Sequence, residues 1–108
     1  MSSFNKLLLM GGTYNLRDID TSNGEPMVSF TVRTWDSTGK DEDGKAKGDT
    51  SWFNCLAFGK KAELLKKYHK DGLVLWVEGR GSFRKDKENT ERFSVIVSDF
   101  RFMSKNEA

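Results

Sequence analysis

Residues 50–63, TSWFNCLAFGKKAE, combine aromatic and cationic side chains in an unusual pattern. If the segment starts as a strand, alternate side chains face opposite sides, so Phe53 shares a face with Cys55 and Ala57. The second face carries Trp52, Asn54, Leu56 and Phe58. Both faces are apolar enough to need shielding from water, yet two lysines follow directly. Because an exposed tryptophan is a burden for a small domain, this strand is expected to serve a function.

The chain has one cysteine, Cys55, and one histidine, His69, which limits the reactions that it could support. A Cys–His nucleophilic pair is conceivable, but His69 lies in the basic segment KKYHKDG, where a solvated histidine is expected. Cys55 is expected to be a small buried core residue. One histidine and one cysteine cannot form the usual metal clusters, and the acidic run 41–44 lacks the later ligands of a calcium loop. We therefore expect no enzyme, no metal and no cofactor.

The composition predicts one small soluble domain. The chain has 108 residues, of which 36% are hydrophobic and 31% charged, with a net charge of +2. This charge argues against a strongly basic protein that coats nucleic acid, so any basic patch must come from the local arrangement of lysines and arginines. No apolar run approaches the ~20 residues of a membrane span, and neither the N-terminus nor the single cysteine indicates export. A cytoplasmic protein without a membrane partner is expected.

The hydrophobic pattern predicts five strands and one helix. Gly11 and Gly12 interrupt the first strand and suggest a bulge or a sharp bend, and Asn23-Gly24 predicts a turn before the second strand. The polar segment 36–49 is predicted to be a mobile loop. The helix is predicted over 60–71. The strands are predicted over 5–17, 27–35, the start of 50–63, 73–84 and 92–103.

Three strands, a helix and two strands is the element order of an OB-fold, a mainly β, five-stranded Greek-key barrel. A short helix between strands three and four belongs to this pattern. An α+β sandwich with the same element order is the competing interpretation. In either case we expect a single domain over 1–108, ordered over about 4–103.

Several segments resemble one known family in order and at compatible spacing. WFNCLAFGKKAE (52–63) resembles W-H-x-V-x-F-G-K-x-A-E, and SNGEPMVSFTVRT (22–34) resembles S-G-x-x-V-x-x-F-x-V-A-T. FNKLLLMGG (4–12) resembles V-N-K-V-x-L-x-G, and KDGLVLWVEGRGSFRK (70–85) resembles K-x-G-x-x-V-x-V-E-G-x-L-x-x-R-x. The likeness covers roughly residues 4–103. The family is that of the bacterial-type single-stranded DNA-binding proteins.

The resemblance implies an OB-fold that binds single-stranded DNA without reading its sequence, and a homo-oligomer, usually a tetramer and sometimes a dimer. Every base has a π-face that can stack on an aromatic ring, and lysines and arginines neutralise the phosphates. Trp52 and Phe58 match the family's base-stacking positions. Trp35 resembles the tryptophan at the end of the second strand, although it comes earlier here. The candidates for phosphate binding are Arg33, Lys60, Arg80, Arg84 and Lys85.

The chain departs from the family pattern in strand four. Asp86 stands where many members have another tryptophan, and a carboxylate cannot stack and would repel phosphate. Phe83 is a candidate to replace that tryptophan, but strict alternation directs it to the core side. Val74 and Trp76 are two large apolar residues on the outer face of this strand, and they are predicted to form an oligomer contact.

Relatives usually continue into a flexible linker and an acidic tip, whereas this chain ends at MSKNEA. No tail-mediated recruitment is expected, and the chain is either a binding domain cut from a longer protein or a compact phage- or plasmid-encoded form. A primosome-type protein-interaction module would share the fold but would be expected to lose the aromatic residues. A nuclease would need clustered carboxylates on the strands. Retention of Trp35, Trp52 and Phe58 favours binding that protects single strands in replication, recombination and repair; DNA over RNA stays open.

Overall fold

The elements of this computed structural model are β1 (Leu7–Asp18), β2 (Met27–Lys40), β3 (Ala46–Phe58), α1 (Lys60–Tyr68), β4 (Val74–Lys85) and β5 (Glu91–Phe102). The five strands close on themselves because β1 pairs with both β2 and β4. The order around the barrel is β1-β2-β3-β5-β4, and every neighbouring pair is antiparallel except β3 and β5. The OB-fold is confirmed, and the α+β sandwich is wrong.

The structure describes residues 2–103. The segment 104–108, on which the expectation about the C-terminal tail rests, lies outside the described residues. The predicted turn at Asn23-Gly24 is present between β1 and β2, where the Gly24 N–H donates to the Thr21 carbonyl at 3.3 Å and Gly24 has a φ of 75°.

The barrel interior follows from the alternation of side chains along the strands. Cys55 and Ala57 of β3 are fully buried, and Phe53 packs against the core at its edge. Burial raises the pKa of the Cys55 thiol to about 12, so the nucleophilic thiolate is not formed near neutral pH. Ala62 and Leu65 close the barrel from α1. The remaining core residues are Leu9, Val28, Phe30, Val32, Leu75, Val77, Val95 and Val97.

Gly11 and Gly12 lie where β1 changes partner, and the pairing does not shift there, so of the two predicted alternatives the bulge is wrong. Gly12 faces Val74 of β4 on one side and Arg33 of β2 on the other. A Cβ atom at Gly11 would collide with the Arg33 carbonyl oxygen. Gly11 therefore permits the close approach of the β1 and β2 backbones in the closed barrel.

A bulge does occur in β1, but it lies further along the strand at Asn15. The pairing with β2 shifts between Tyr14 and Arg17, and Asn15 has a φ of 61°. The extra residue reverses the alternation, so Leu16 packs against the core and Arg17 is exposed. Without the bulge, Arg17 would face the same side as the buried Thr13.

Most of the segment 36–49 is a hairpin arm, so its prediction as a loop is wrong. β2 continues to Lys40, β3 starts at Ala46, and only the residues between them form the turn. The Asp41 carboxylate accepts backbone N–H groups of Asp43 and Lys45, each at 2.9 Å. Both faces of the arm are almost entirely exposed, so apolar alternation did not mark the strands. Mobility of the arm stays a prediction.

The end of α1 is fixed to β1 by His69, which is not the solvated residue that was expected. The helix ends at Tyr68, earlier than predicted, and His69 is extended. The Thr13 hydroxyl donates to the Leu73 carbonyl at 2.7 Å, so its oxygen accepts from His69 Nε2 at 2.8 Å. Desolvation lowers the pKa of His69, opposed by the nearby Asp71 carboxylate. His69 therefore has a structural role.

Candidate nucleic-acid interface

The outer face of the β2–β3 sheet presents an aromatic ring beside a cation. Trp52 of β3 lies directly opposite Arg33 of β2, and 56% of Trp52 is exposed. Tyr14 of β1 meets the Trp52 ring in a T-shaped arrangement with 5.7 Å between centroids. This contact supports the indole while most of its surface stays open to a ligand. The role of Tyr14 was missed, because it depends on the β1–β2 pairing.

Trp35 lies on the same outer face, further out along the β2–β3 arm. It is opposite Thr50, two residue pairs along the ladder from the Arg33–Trp52 pair. Its indole covers Gly48, where an added Cβ would lie 2.5 Å from ring atom Cζ2. Gly48 thus allows the ring to lie against the backbone, and 47% of Trp35 remains exposed.

Phe58 and Lys60 lie at the opposite end of β3 from the arm. Phe58 is half-buried and pairs with Met27. Gly59 follows with a φ of 64°, and Lys60 starts α1 with an exposed side chain. Since a strand rises ~3.4 Å per residue, Phe58 lies ~20 Å from Trp52. If the two predicted stacking positions on β3 bind the same DNA strand, they must therefore contact bases that are not adjacent.

The three predicted cations of β4 are separated from β3 by β5. Arg80 is opposite Ile96 of β5, which in turn pairs with Leu56 of β3. Arg84 shares the face of Arg80, whereas Lys85 alternates to the other face. Arg80 and Arg84 therefore lie on the same continuous outer surface as Trp52, but two strands away.

Asp86 shapes the β4–β5 turn, which explains an acidic residue at this position. One carboxylate oxygen accepts the backbone N–H groups of Glu88 and Thr90 at 2.9 and 3.0 Å. The other accepts from Arg92 Nε at 3.0 Å. The Thr90 N–H and then Arg92 lower the pKa of Asp86. Its negative charge is thus offset by Arg92 and by backbone donors.

Phe83 lies on the core-side face of β4, as strict alternation predicts, but 66% of it is exposed. It lies directly opposite Phe93 of β5, with 4.9 Å between the ring centroids. Alternation places Phe83 on the face opposite Arg84. It does not join the surface that carries Trp52.

An open groove crosses the outer face of the sheet, and sequence reasoning missed it. The groove has a volume of about 420 Å³ and includes Ser29, Asn54 and Ser94 on three strands. Arg17 and Arg92 also line it. Arg17 was missed because the bulge at Asn15 reverses the alternation, and Arg92 because strand β5 carried no motif for a cationic site.

The predicted oligomer residues are less exposed than expected. Val74 and Trp76 are both half-buried on the outer face of β4. Met10 of β1 lies directly opposite Trp76, and Leu8 lies opposite Glu78. Both Met10 and Leu8 are 57% exposed, so β1 supplies most of the open apolar surface here.

Within residues 2–103, no helix is long and apolar enough to cross a membrane. The same residues contain no group of three or more His, Cys, Asp or Glu side chains placed to hold a metal ion.

Residues 4–103 match the model of the single-strand binding protein family. The single-stranded DNA-binding protein 1 of Xylella fastidiosa is 32% identical over 113 residues, covering 99% of this chain and 82% of that protein. The single-stranded DNA-binding protein of Neisseria meningitidis serogroup A is 30% identical over 106 residues, covering 94% of this chain. The chain spans only 60% of the length of that relative.

Solved structures agree with the fold. The Plasmodium falciparum SSB complex with ssDNA superposes with a TM-score of 0.83 at 20% identity, covering 96% of this chain and 98% of that one. The wild-type single-stranded DNA binding protein from Thermus aquaticus gives a TM-score of 0.77 at 20% identity, covering 94% of this chain and 50% of that one. The family match over nearly the whole described chain, together with the closed five-stranded barrel, shows that this chain belongs to the single-strand binding protein family.

Proposed function

We propose that this protein binds single-stranded DNA without reading its sequence, by stacking bases on Trp35, Trp52 and Phe58. The observation that carries the proposal is Trp52, which is exposed on a sheet face directly opposite Arg33. A base stacked on the indole would place its phosphate near the guanidinium. Such stacking contributes ~1–3 kcal/mol per base and tolerates any sequence.

The phosphates would be bound by cations around this surface, so the affinity would fall as salt rises. Family membership supports this function, and so do the names of the relatives from Xylella and Neisseria. We propose no catalytic step. We further propose that the protein is cytoplasmic and protects single strands in replication, recombination and repair, as the family membership and the names of these relatives suggest. The proposed phosphate-binding residues are Arg33, Lys60, Arg80 and Arg84, together with Lys85 on the other face of β4.

A tryptophan-fluorescence titration tests the proposal directly. Oligo-dT is expected to quench the fluorescence strongly, duplex DNA weakly, and high salt should weaken the quenching by oligo-dT. Oligo-U in the same titration would show whether the 2′-hydroxyl affects binding. Absence of quenching by any nucleic acid would contradict the proposal and favour a protein-interaction module.

We also propose a homo-oligomer, a dimer or a tetramer, through the outer face of β1 and β4. Leu8 and Met10 are exposed there beside Val74 and Trp76. Covering them would remove an apolar patch from water. Light scattering at micromolar concentration should give a mass above that of one chain, and Met10→Lys should shift the distribution to monomers. A monomeric wild-type protein would contradict this contact.

A further inference from the structure

The groove across the outer face has an arginine at each end, and neither arginine belongs to the proposed site. We call it the transverse groove. Arg17 comes from β1 and Arg92 from β5. Because β1, β2, β3 and β5 are consecutive in the barrel and strands lie ~4.8 Å apart, the groove crosses ~14 Å of sheet. Its floor includes Ser29, Thr31, Asn54 and Ser94.

The transverse groove runs beside the proposed stacking surface. Asn54 in its floor is two residues from Trp52 on the same face of β3, a separation of ~7 Å along the strand. A nucleic-acid strand with a base on the indole could therefore continue directly into the groove. This direction is across the sheet and differs from the line along β3 to Phe58.

The chemistry of the floor suits a phosphodiester. Within residues 2–103, the side chains of Ser29, Asn54 and Ser94 have no hydrogen-bond partner, and Arg17 has no ion pair. No carboxylate is among the described residues that line the groove. Free hydroxyl and amide groups between two guanidinium groups can bind phosphate oxygens or the edges of bases.

Arg92 is held in place by Asp86. The carboxylate binds Nε and is itself fixed by two backbone N–H groups of the turn. A guanidinium has five N–H donors. With Nε bound to Asp86, the donors on the terminal nitrogens can still bind a phosphate.

We propose that Arg17 and Arg92 bind phosphates of one single strand that crosses the sheet through the transverse groove, and that Asp86 is a positioning residue for Arg92. This inference rests on the proposed function. It adds contacts and a direction for the strand that the family motifs do not supply.

The salt dependence of oligo-dT binding tests the two arginines. Each counterion released from a single strand contributes ~0.7 to the slope of log K against log salt. Arg17→Ala and Arg92→Ala should each reduce the slope by that amount, the double variant by ~1.4, and each should weaken binding about threefold at low salt. Lys70→Ala, an equal change of charge near the end of α1, should leave the slope unchanged.

The outcomes separate this inference from the proposed function. If the double variant keeps the wild-type slope while oligo-dT still quenches fluorescence, the groove contacts are wrong and the stacking proposal stands. If the wild-type protein does not bind oligo-dT, both are wrong.

Asp86→Asn tests positioning by the sign of its effect. Loss of a negative charge alone would tighten DNA binding, whereas release of Arg92 should weaken it about threefold. In an Arg92→Ala background the same substitution should no longer weaken binding, because the two residues act as a pair. Unchanged or tighter binding by Asp86→Asn in the wild-type background would overturn the positioning role.

Discussion

The β2–β3 and β4–β5 hairpins end in the same turn but carry different side chains. Asp41 and Asp86 each accept the backbone N–H groups two and four residues later. The fourth residue of each turn has a positive φ, 79° at Gly44 and 63° at Asn89. The sequences DEDGK and DKENT thus give one turn geometry, since glycine and asparagine both tolerate this conformation.

The difference lies on the faces of the arms. The β2–β3 hairpin places Trp52 beside Arg33 on the outer surface. The β4–β5 arm places arginines on that surface, while its exposed ring, Phe83, lies on the other face against Phe93. A shared turn therefore fixes the hairpin, and the residue types on the outer face decide whether it offers stacking or charge.

Trp52→Ala should have the largest effect on this comparison. Loss of one stacked base costs ~1–3 kcal/mol of binding free energy, which fluorescence anisotropy of labelled oligo-dT would measure. Phe83→Ala is the matched control, because its ring is similarly exposed but lies on the other hairpin; its binding should remain at the wild-type level. An equal loss in both variants would show that both hairpins stack bases.

Gly48→Ala should have a smaller effect through Trp35. The added Cβ would collide with the Asp36 carbonyl oxygen and would also lie 2.5 Å from Cζ2 of the indole, so both the backbone and the ring must move. Displacement of the ring should weaken oligo-dT binding by ~1 kcal/mol. In a Trp35→Ala background the glycine substitution should cause a smaller loss, because only the contact with the Asp36 carbonyl remains. A full additional loss there would show that Gly48 acts on the arm and not on the ring.

The stability of the Asp86 turn should depend on pH, with the smallest effect of the three. The pKa of Asp86 is lowered in the folded protein, so its ionised form adds stability above its ordinary pKa of 3.8. That stability is lost as pH falls through the lowered folded value. In urea unfolding, Asp86→Asn should therefore be less stable than wild type at pH 7, with the gap closing in acid.

Asp41→Asn is the comparison for this experiment, because Asp41 forms the same turn but has no ion pair among residues 2–103. Its loss of stability at pH 7 should be smaller than that of Asp86→Asn. Equal losses would show that the Arg92 ion pair contributes nothing to the second turn.

The barrel could be predicted because its strands have one buried face. The alternation of Val28, Phe30 and Val32, and of Cys55 and Ala57, directly marks the core. The arms could not be predicted in the same way. Beyond the barrel both faces of 36–49 meet water, so strand residues there are as polar as a loop.

The stacking candidates could be predicted from the family motifs. Predicting the groove would have required knowledge of how strands distant in sequence pair. Arg17 reaches the surface because Asn15 forms a bulge, and a single-residue bulge leaves no clear hydrophobic pattern. Arg92 joins the same groove because β5 lies beside β3. Asp86 was interpreted as a repulsive charge, since its turn bonds and its pairing with Arg92 cannot be read from local sequence.

The most direct test of the account uses the three tryptophans as separate probes. Indole N–H resonances in a ¹⁵N-labelled protein can be assigned with single Trp→Phe variants and followed during titration with oligo-dT. The account predicts that the signals of Trp52 and Trp35 shift, while that of Trp76, on the proposed oligomer face, does not. Shifts confined to Trp76, or no shift at saturating DNA, would contradict stacking on the β2–β3 hairpin.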